Sequence, residues 1–174
     1  MEVRSFISEK AYHKLLAFFT EQAQLVKHDE QESHYYDCPQ DLRIQQNQFY
    51  AKIWLKKGIL HDPAREEIEV QVPKEDFPKL QQLFAAMGYN VNIKWFRTRD
   101  QFQWDDITVT VDYTKGYGHI LELEKMASPQ TKEETLHHLR EKLAELQIPE
   151  TPKLIFDQKF QWYKENWQSV VPSS

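Results

Sequence analysis

Charged residues recur at every second position in several segments of this chain, and in a β-strand residues two apart share a face. Arg65, Glu67 and Glu69 stand opposite Ile68, Val70 and Val72, and Thr108, Thr110 and Asp112 opposite Ile107, Val109 and Val111. Glu122 and Glu124 alternate with Leu121 and Leu123, Arg43 and Gln45 with Leu42 and Ile44, and Lys52 and Lys56 with Ile53 and Leu55. Trp54 falls on the charged side. Glu2 shares a face with Arg4, and Arg97 with Arg99. Guanidinium forks and ammonium groups match phosphate oxygens, whereas carboxylates repel phosphate unless a hard divalent cation stands between them. A face carrying both signs therefore suits a polyphosphate taken up with Mg²⁺ or Mn²⁺. The pairs Glu67/Glu69 and Glu122/Glu124 can each share an ion from one strand face.

These residues need strands to position them, and the pattern supplies about eight, enough to close into a barrel just wide enough for one small ligand. The expected strands are Glu2 to Ile7, His34 to Asp37, Leu42 to Gln46, Phe49 to Lys57, Arg65 to Val72, Asn90 to Arg99 continued by Gln101 to Trp104, Ile107 to Tyr113 and His119 to Met126. Gln22 to Ser33 reads as a polar stretch. Four helices are expected: Glu9 to Thr20 capped by Ser8, Lys74 to Met87 closed by Gly88, one opened by a Thr131/Glu134 capping box, and one opened by Thr151-Pro152. Their apolar faces pack on the outside of the barrel. Ten charges in a dry interior would cost on the order of tens of kcal/mol, against the roughly 5 to 15 that holds a domain together. The interior must be wet, balanced in charge and open, which describes a tunnel. The expected fold is α+β: an eight-stranded antiparallel β-barrel with external helices, in a single domain over 1–174.

Composition narrows the chemistry further. The chain has 174 residues, with 22 Lys plus Arg against 27 Asp plus Glu, a net charge of −5. No basic patch for a nucleic-acid surface is evident. None of the 4 Gly begins a GxGxxG or GxxxxGK[ST] run, so phosphate must be held by side chains. A lone cysteine, Cys38, makes neither an internal disulfide nor a thiolate zinc cage. With no leader pattern and no apolar run of about 20 residues, the expected location is cytoplasmic, away from membranes. His137-His138 read as exposed helix residues, since neighbours on a helix do not face one metal together.

The order of the motifs is more specific than any one of them. Tyr35-Tyr36-Asp37 looks like a Tyr-Phe-Asp strand, Leu42-Arg43-Ile44-Gln45 like LRxR, and Leu55-Lys56 like the end of a lysine strand. Arg65-Glu66-Glu67-Ile68-Glu69 matches RxExE, and Arg97-Thr98-Arg99 with Phe102 is similar to [KR]xR with its aromatic. Asp112 sits where a late-strand Asp belongs, and Glu122-Leu123-Glu124 matches ExE after a Gly-x-Gly turn. From Glu2 to about Met126 the chain thus resembles the CYTH family, the triphosphate tunnel metalloenzymes that include class IV adenylyl cyclases, thiamine triphosphatases and inorganic tripolyphosphatases. Two positions depart from the pattern. The N-terminal ExExK is represented only by Glu2-Val3-Arg4, and the second Arg of LRxR is Gln45.

The resemblance implies that Arg43, Lys56, Arg97 and Arg99, with Arg4 and Arg65, grip a triphosphate. Asp112, Glu122 and Glu124, with Glu2, would hold Mg²⁺ or Mn²⁺, and Glu67 or Glu69 would orient a water beside the transition-state arginine Arg97. The activity implied is metal-dependent hydrolysis of tripolyphosphate or an organic triphosphate. The alternatives are cyclisation of ATP to cyclic AMP and pyrophosphate, and a non-catalytic nucleotide- or polyphosphate-binding module, which the two departures favour. The partner is a small triphosphate-containing molecule, and a homodimer is left open.

Overall fold

A computed structural model of the chain describes residues 1–58 and 66–171. Its strands are β1 (Glu2–Ile7), β2 (Gln24–Tyr36), β3 (Asp41–Gln46), β4 (Tyr50–Lys56), β5 (Glu67–Pro73), β6 (Val91–Trp104), β7 (Ile107–Thr114) and β8 (Gly118–Glu124). The helices are α1 (Glu9–Gln22), α2 (Phe77–Ala86), α3 (Lys132–Glu145) and α4 (Lys153–Val170). All eight strands join one sheet in the order β1-β8-β7-β6-β2-β3-β4-β5. Every ladder is antiparallel. The expected α+β architecture is the observed one. Among the described residues no helix is long and apolar enough to cross a membrane.

The sheet curls until all eight strands send side chains into one cavity: Glu2 and Arg4 from β1, Tyr35 from β2, Arg43 from β3, Lys56 from β4, Glu67 from β5, Arg97 from β6, Asp112 from β7 and Glu122 from β8. It is a tunnel in shape, but no ladder joins β1 to β5 among the described residues. The backbone of β1 shows why its outer edge takes no strand. The Phe6 N–H donates to Thr151 Oγ1 at 3.0 Å, and the Arg4 carbonyl accepts from the Thr151 N–H at 3.3 Å. The Ser5 hydroxyl, fully buried, donates to the Pro149 carbonyl. The segment between α3 and α4 thus occupies the pairing groups that a closing strand would need.

Three helices pack outside, as expected. Tyr12, Leu15 and Phe19 of α1 and Leu139 and Leu143 of α3 cover Phe102, Val109, Val111, Leu121 and Leu123. Phe77, Leu80 and Phe84 of α2 cover Tyr36, Ile44 and Ala51. The placement of α4 is different. The ladder between β6 and β7 begins at Arg97, so the first residues of β6 lack a neighbour on that side. There α4 stands in for a strand: Tyr163 Oη donates to the Lys94 carbonyl at 2.9 Å and Trp167 Nε1 to the Asn92 carbonyl at 3.0 Å. Its apolar face lies against Ile93, Trp95 and Tyr117. Gly116 permits the approach, because a Cβ there would meet Val170 at 2.5 Å and the residue's φ is +75°.

Several local expectations are corrected. Gln24 to Ser33, read as a polar stretch, belongs to β2, and β6 is one continuous strand. Thr131 makes no side-chain cap for α3; its hydroxyl accepts from the Ser128 N–H at 3.0 Å instead. Pro152 takes the N-cap position of α4, leaving Thr151 for the clasp on β1. Ser8 does cap α1, accepting from the Ala11 N–H at 3.2 Å.

The clasp can be tested alone. Thr151→Val keeps the side-chain shape but removes the acceptor for the Phe6 N–H. It is expected to lower unfolding stability by about 1–2 kcal/mol at unchanged m-value in urea titrations.

Candidate functional site

The main cavity has a volume of about 390 Å³, within the range of small-molecule sites. Its charged wall is organised around Asp112 on β7, which is 2% exposed. The register sets Asp112 opposite Arg99 of β6. Arg99 Nε donates to Asp112 Oδ1 at 2.9 Å and Nη2 to Oδ2 at 2.6 Å, a bidentate fork. Arg97, two residues away and on the same face, reaches the same Oδ2 at 3.5 Å through Nη1. Its Nε and Nη2 donate to Gln31 Oε1 at 2.9 and 2.6 Å. Gln45 Nε2 donates to Ser33 Oγ at 2.9 Å and to Gln31 Oε1 at 3.2 Å. An uncharged amide, where the family motif has its second Arg, therefore helps seat Arg97.

On the facing wall the cations rest on rings. The Arg43 guanidinium lies 4.1 Å from the Tyr35 centroid and 4.9 Å from that of Trp54. Lys52 and Lys56 place their ammonium groups 4.2 and 4.3 Å from Trp54. Arg43 also forks onto Asp41, its Nε and Nη2 donating to Oδ1 and Oδ2 at 2.7 Å each, so this cation is held by rings and a carboxylate together. Trp54 Nε1 donates to Glu67 at 2.9 Å, and Glu67 pairs with Lys56 at 2.5 Å. Glu69 is drawn off to Lys52, at 2.6 Å, and to Gln71.

The third group is acidic. Glu2 lies opposite Glu124, and Arg4 opposite Glu122, across the ladder of β1 and β8. Burial and the charge of Glu122 push the Glu2 carboxyl up to about 7, against the opposing pull of Arg4 and Lys56. Burial and Glu122 also raise Glu124. Burial works against the charge of Arg99, but Asp112 and Glu122 outweigh it and hold the proton more tightly than usual. Arg97 shifts the other way, through burial and its neighbour Arg99.

Glu2, Arg4, Arg43, Lys56, Glu67, Arg97, Arg99, Asp112, Glu122 and Glu124 all line this one cavity. Glu69 does not, and Arg65 lies outside the described residues. Hard oxygen donors suited to Mg²⁺ or Mn²⁺ are present in Glu2, Glu122 and Glu124, whose mutual repulsion a cation would relieve. Beside them, opposite Glu122, the Thr110 hydroxyl is buried without a partner among the described residues. No three acidic, His or Cys side chains among the described residues already converge into a ready metal cage. Asp112, expected as a metal ligand, has both oxygens engaged by Arg99.

Some lining residues escaped the sequence reading. Lys27, Asp29 and Gln31 of β2 join Lys52 and Arg99 around a smaller cavity of about 160 Å³. Their two-residue spacing continues that of Ser33 and Tyr35, which was the available signal. The rings of Phe156 and Phe160 enter the main cavity from α4. No strand periodicity could place them there.

The Glu2 environment gives a pH prediction. Its folded-state value of about 7 lies above the ordinary 4.5, so folding takes up a proton between those values. Stability from this group is fully present below about pH 4.5, falls as pH rises through the window and levels off above 7. In EDTA, Glu2→Gln is expected to flatten this slope, gaining about 2 kcal/mol on wild type between pH 5 and 8 in urea unfolding.

Comparisons with known proteins bear on the family and the fold. The model of the CYTH domain matches residues 1–155. A conserved hypothetical protein from Pyrococcus furiosus superposes with a TM-score of 0.70 at 22% identity, over 85% of this chain and 90% of that one. A Vibrio parahaemolyticus structure described as a putative adenylate cyclase superposes with a TM-score of 0.60 at 20% identity, over 84% of each chain. At these identities the likeness is one of fold. A Methanocaldococcus jannaschii protein of the same description is 35% identical over 86 residues, 49% of this chain and 48% of its own length. The matched region is thus about half of that curated relative. A domain model that covers most of the sequence, on a fold shared across those structures, establishes that the chain belongs to the CYTH domain family.

Proposed function

We propose that the protein is a divalent-metal-dependent enzyme that hydrolyses a triphosphate bound in the tunnel. The observation that carries this reading is one cavity in which Arg43, Lys56, Arg97 and Arg99 stand across from the crowded carboxylates Glu2, Glu122 and Glu124. Arg97 and Arg99 present N–H donors to phosphate oxygens, and Asp112 keeps the Arg99 fork in one orientation. Arg43 and Lys56 meet the same polyanion from the ring-backed wall. Glu2, Glu122 and Glu124 would hold Mg²⁺ or Mn²⁺. When bound, the ion supplies charge neutralisation at the phosphoryl oxygens and acidifies a bound water. Glu67, which lines the cavity, is better placed than Glu69 to accept a proton from the attacking water. In-line displacement of phosphate then depends on positioning and electrostatics, with arginine charge on the equatorial oxygens.

A second reading is cyclisation, in which the 3′-hydroxyl of ATP attacks the α-phosphorus and pyrophosphate leaves. The names of the Methanocaldococcus jannaschii and Vibrio parahaemolyticus proteins favour it. Both reactions use the same charged residues.

One assay separates them. The protein is incubated with tripolyphosphate or ATP plus Mg²⁺ or Mn²⁺, and orthophosphate, cyclic AMP and pyrophosphate are quantified. Orthophosphate release abolished by EDTA is expected; cyclic AMP with pyrophosphate would select cyclisation, and tight binding without turnover the binding module. Arg99→Ala is expected to lower kcat/KM by about a hundredfold. Glu122→Ala is expected to raise the metal concentration needed for half-maximal rate. Wild-type behaviour in both variants would overturn the site.

A further inference from the structure

Three of the four cations assigned to the grip hold a carboxylate closely: Arg99 forks onto Asp112 at 2.9 and 2.6 Å, Arg43 onto Asp41 at 2.7 Å, and Lys56 pairs with Glu67 at 2.5 Å. Arg97 is different. Among the described residues it comes no nearer to a carboxylate than 3.5 Å, and that oxygen, Asp112 Oδ2, is already held by Arg99 at 2.6 Å. Its short hydrogen bonds, from Nε and Nη2, both end on the neutral Gln31 Oε1, at 2.9 and 2.6 Å. The Gln31 amide can point only one way. Its Nε2 donates at 2.9 Å to Asp29 Oδ2, which only accepts, so Oε1 is left to the guanidinium, which only donates. Both ends are anchored from behind. Asp29 Oδ2 is also met by Lys27 at 2.7 Å and by Asn47 Nδ2 at 3.3 Å, and Gln45 Nε2, tied to Ser33 Oγ, gives Gln31 Oε1 a third donor. Asp29, Ser33 and Gln45 are each 3% exposed. An oxygen with two lone pairs and three donors has nothing left for a ligand, and Gln31 is absent from the lining of the main cavity. It reaches the site only through Arg97.

We propose that Gln31 is a positioning residue for Arg97: it fixes the plane of the guanidinium through a neutral acceptor, and so presents to a bound anion a cation whose charge is not taken up by a carboxylate of its own. Gln45 and Asp29 act one step further back, by holding the Gln31 amide in that orientation. Fixing the fork in advance spares the ligand the cost of ordering a long side chain. The neutrality of the acceptor matters as much as its place, because a carboxylate at position 31 would hold the same plane and cancel the charge. The inference rests on the triphosphate reading above and adds to it residues of β2 that touch no ligand in the main cavity.

A double-mutant cycle tests it, with calorimetric titration of tripolyphosphate in EDTA, where the ligand does not turn over, into wild type, Gln31→Leu, Arg97→Ala and the double variant. Gln31→Leu alone is expected to weaken binding about tenfold, and to have no further effect once Arg97 is alanine. A merely structural role would cost the same factor in both backgrounds. Gln31→Glu, which keeps an acceptor but brings a charge, is expected to bind no better than Gln31→Leu. If the leucine variant does not fold, Gln45→Leu takes its place in the cycle, with a loss of about threefold that is again absent beside Arg97→Ala. Equal losses in the two backgrounds, or wild-type affinity in Gln31→Leu, would overturn the positioning role and leave the triphosphate reading standing. Wild-type affinity in Gln31→Glu would overturn the need for a neutral acceptor. Failure of wild type to bind tripolyphosphate would overturn the triphosphate reading, and the positioning role with it.

Discussion

Asp112 and Arg99 hold each other across the ladder of β6 and β7, and the charged wall is arranged around that pair. A carboxylate buried to 2% exposure is untenable without a cation, and the fork of Arg99 supplies one in a fixed plane. Arg97 shares the same oxygen, and one carboxylate then serves two guanidiniums. That leaves positive charge uncompensated where a polyanion would lie. The neutrality of Gln45 limits crowding: a third guanidinium beside Arg97, whose charge burial and Arg99 already disfavour, would add like charge. An amide seats Arg97 through Gln31 and adds no charge.

Opposite this wall, rings join carboxylates in holding the cations. Trp54 lies near three cations, Arg43, Lys52 and Lys56, and its indole N–H orients Glu67. Each of those cations also meets a carboxylate, Arg43 forking onto Asp41 at 2.7 Å, Lys52 onto Glu69 at 2.6 Å and Lys56 onto Glu67 at 2.5 Å, so rings and carboxylates together hold them in place. The acidic corner is the reverse case. Burial and the charge of Glu122 raise the affinity of Glu2 and Glu124 for protons, a repulsion that a proton relieves and that a metal ion would relieve too.

Much of this was legible in the sequence because strand periodicity and charge agree. Where apolar and charged residues alternate, as in Ile107 to Asp112 or Leu121 to Glu124, one face is covered by a helix and the other lines the tunnel, and two-residue spacing reveals both. The first part of β2 was illegible for the same reason. Lys27, Asp29 and Gln31 face inward while His28 and Glu30 face water, and a strand that is polar on both sides has no period to read. The role of α4 was hidden more deeply. Its rings follow a helical pattern that predicts packing on a sheet, but not that the sheet would be the tunnel's own inner face. The missing neighbour of β6 at Asn92 and Lys94 decides that, and it is a property of the ladder lengths. Thr151 looked like a helix cap because Thr-Pro is a cap signature; the stronger demand came from the backbone of β1, distant in sequence.

The open seam between β1 and β5 gives the tunnel a mechanical property that a sealed barrel lacks. In a sealed barrel the number of strands and their stagger set the bore, and widening it means breaking a ladder. Here the hydrogen-bonded circumference is interrupted, with Glu2 on one lip and Glu67 on the other, and Lys56 of β4, paired with Glu67, lies near enough to act electrostatically on Glu2. The diameter is therefore governed by side-chain charge across the gap and by whatever spans it. Under the proposed function, a polyanion with its counterion, touching both lips at once, would act as a buckle that draws the strap to one length and fixes the calibre of the channel.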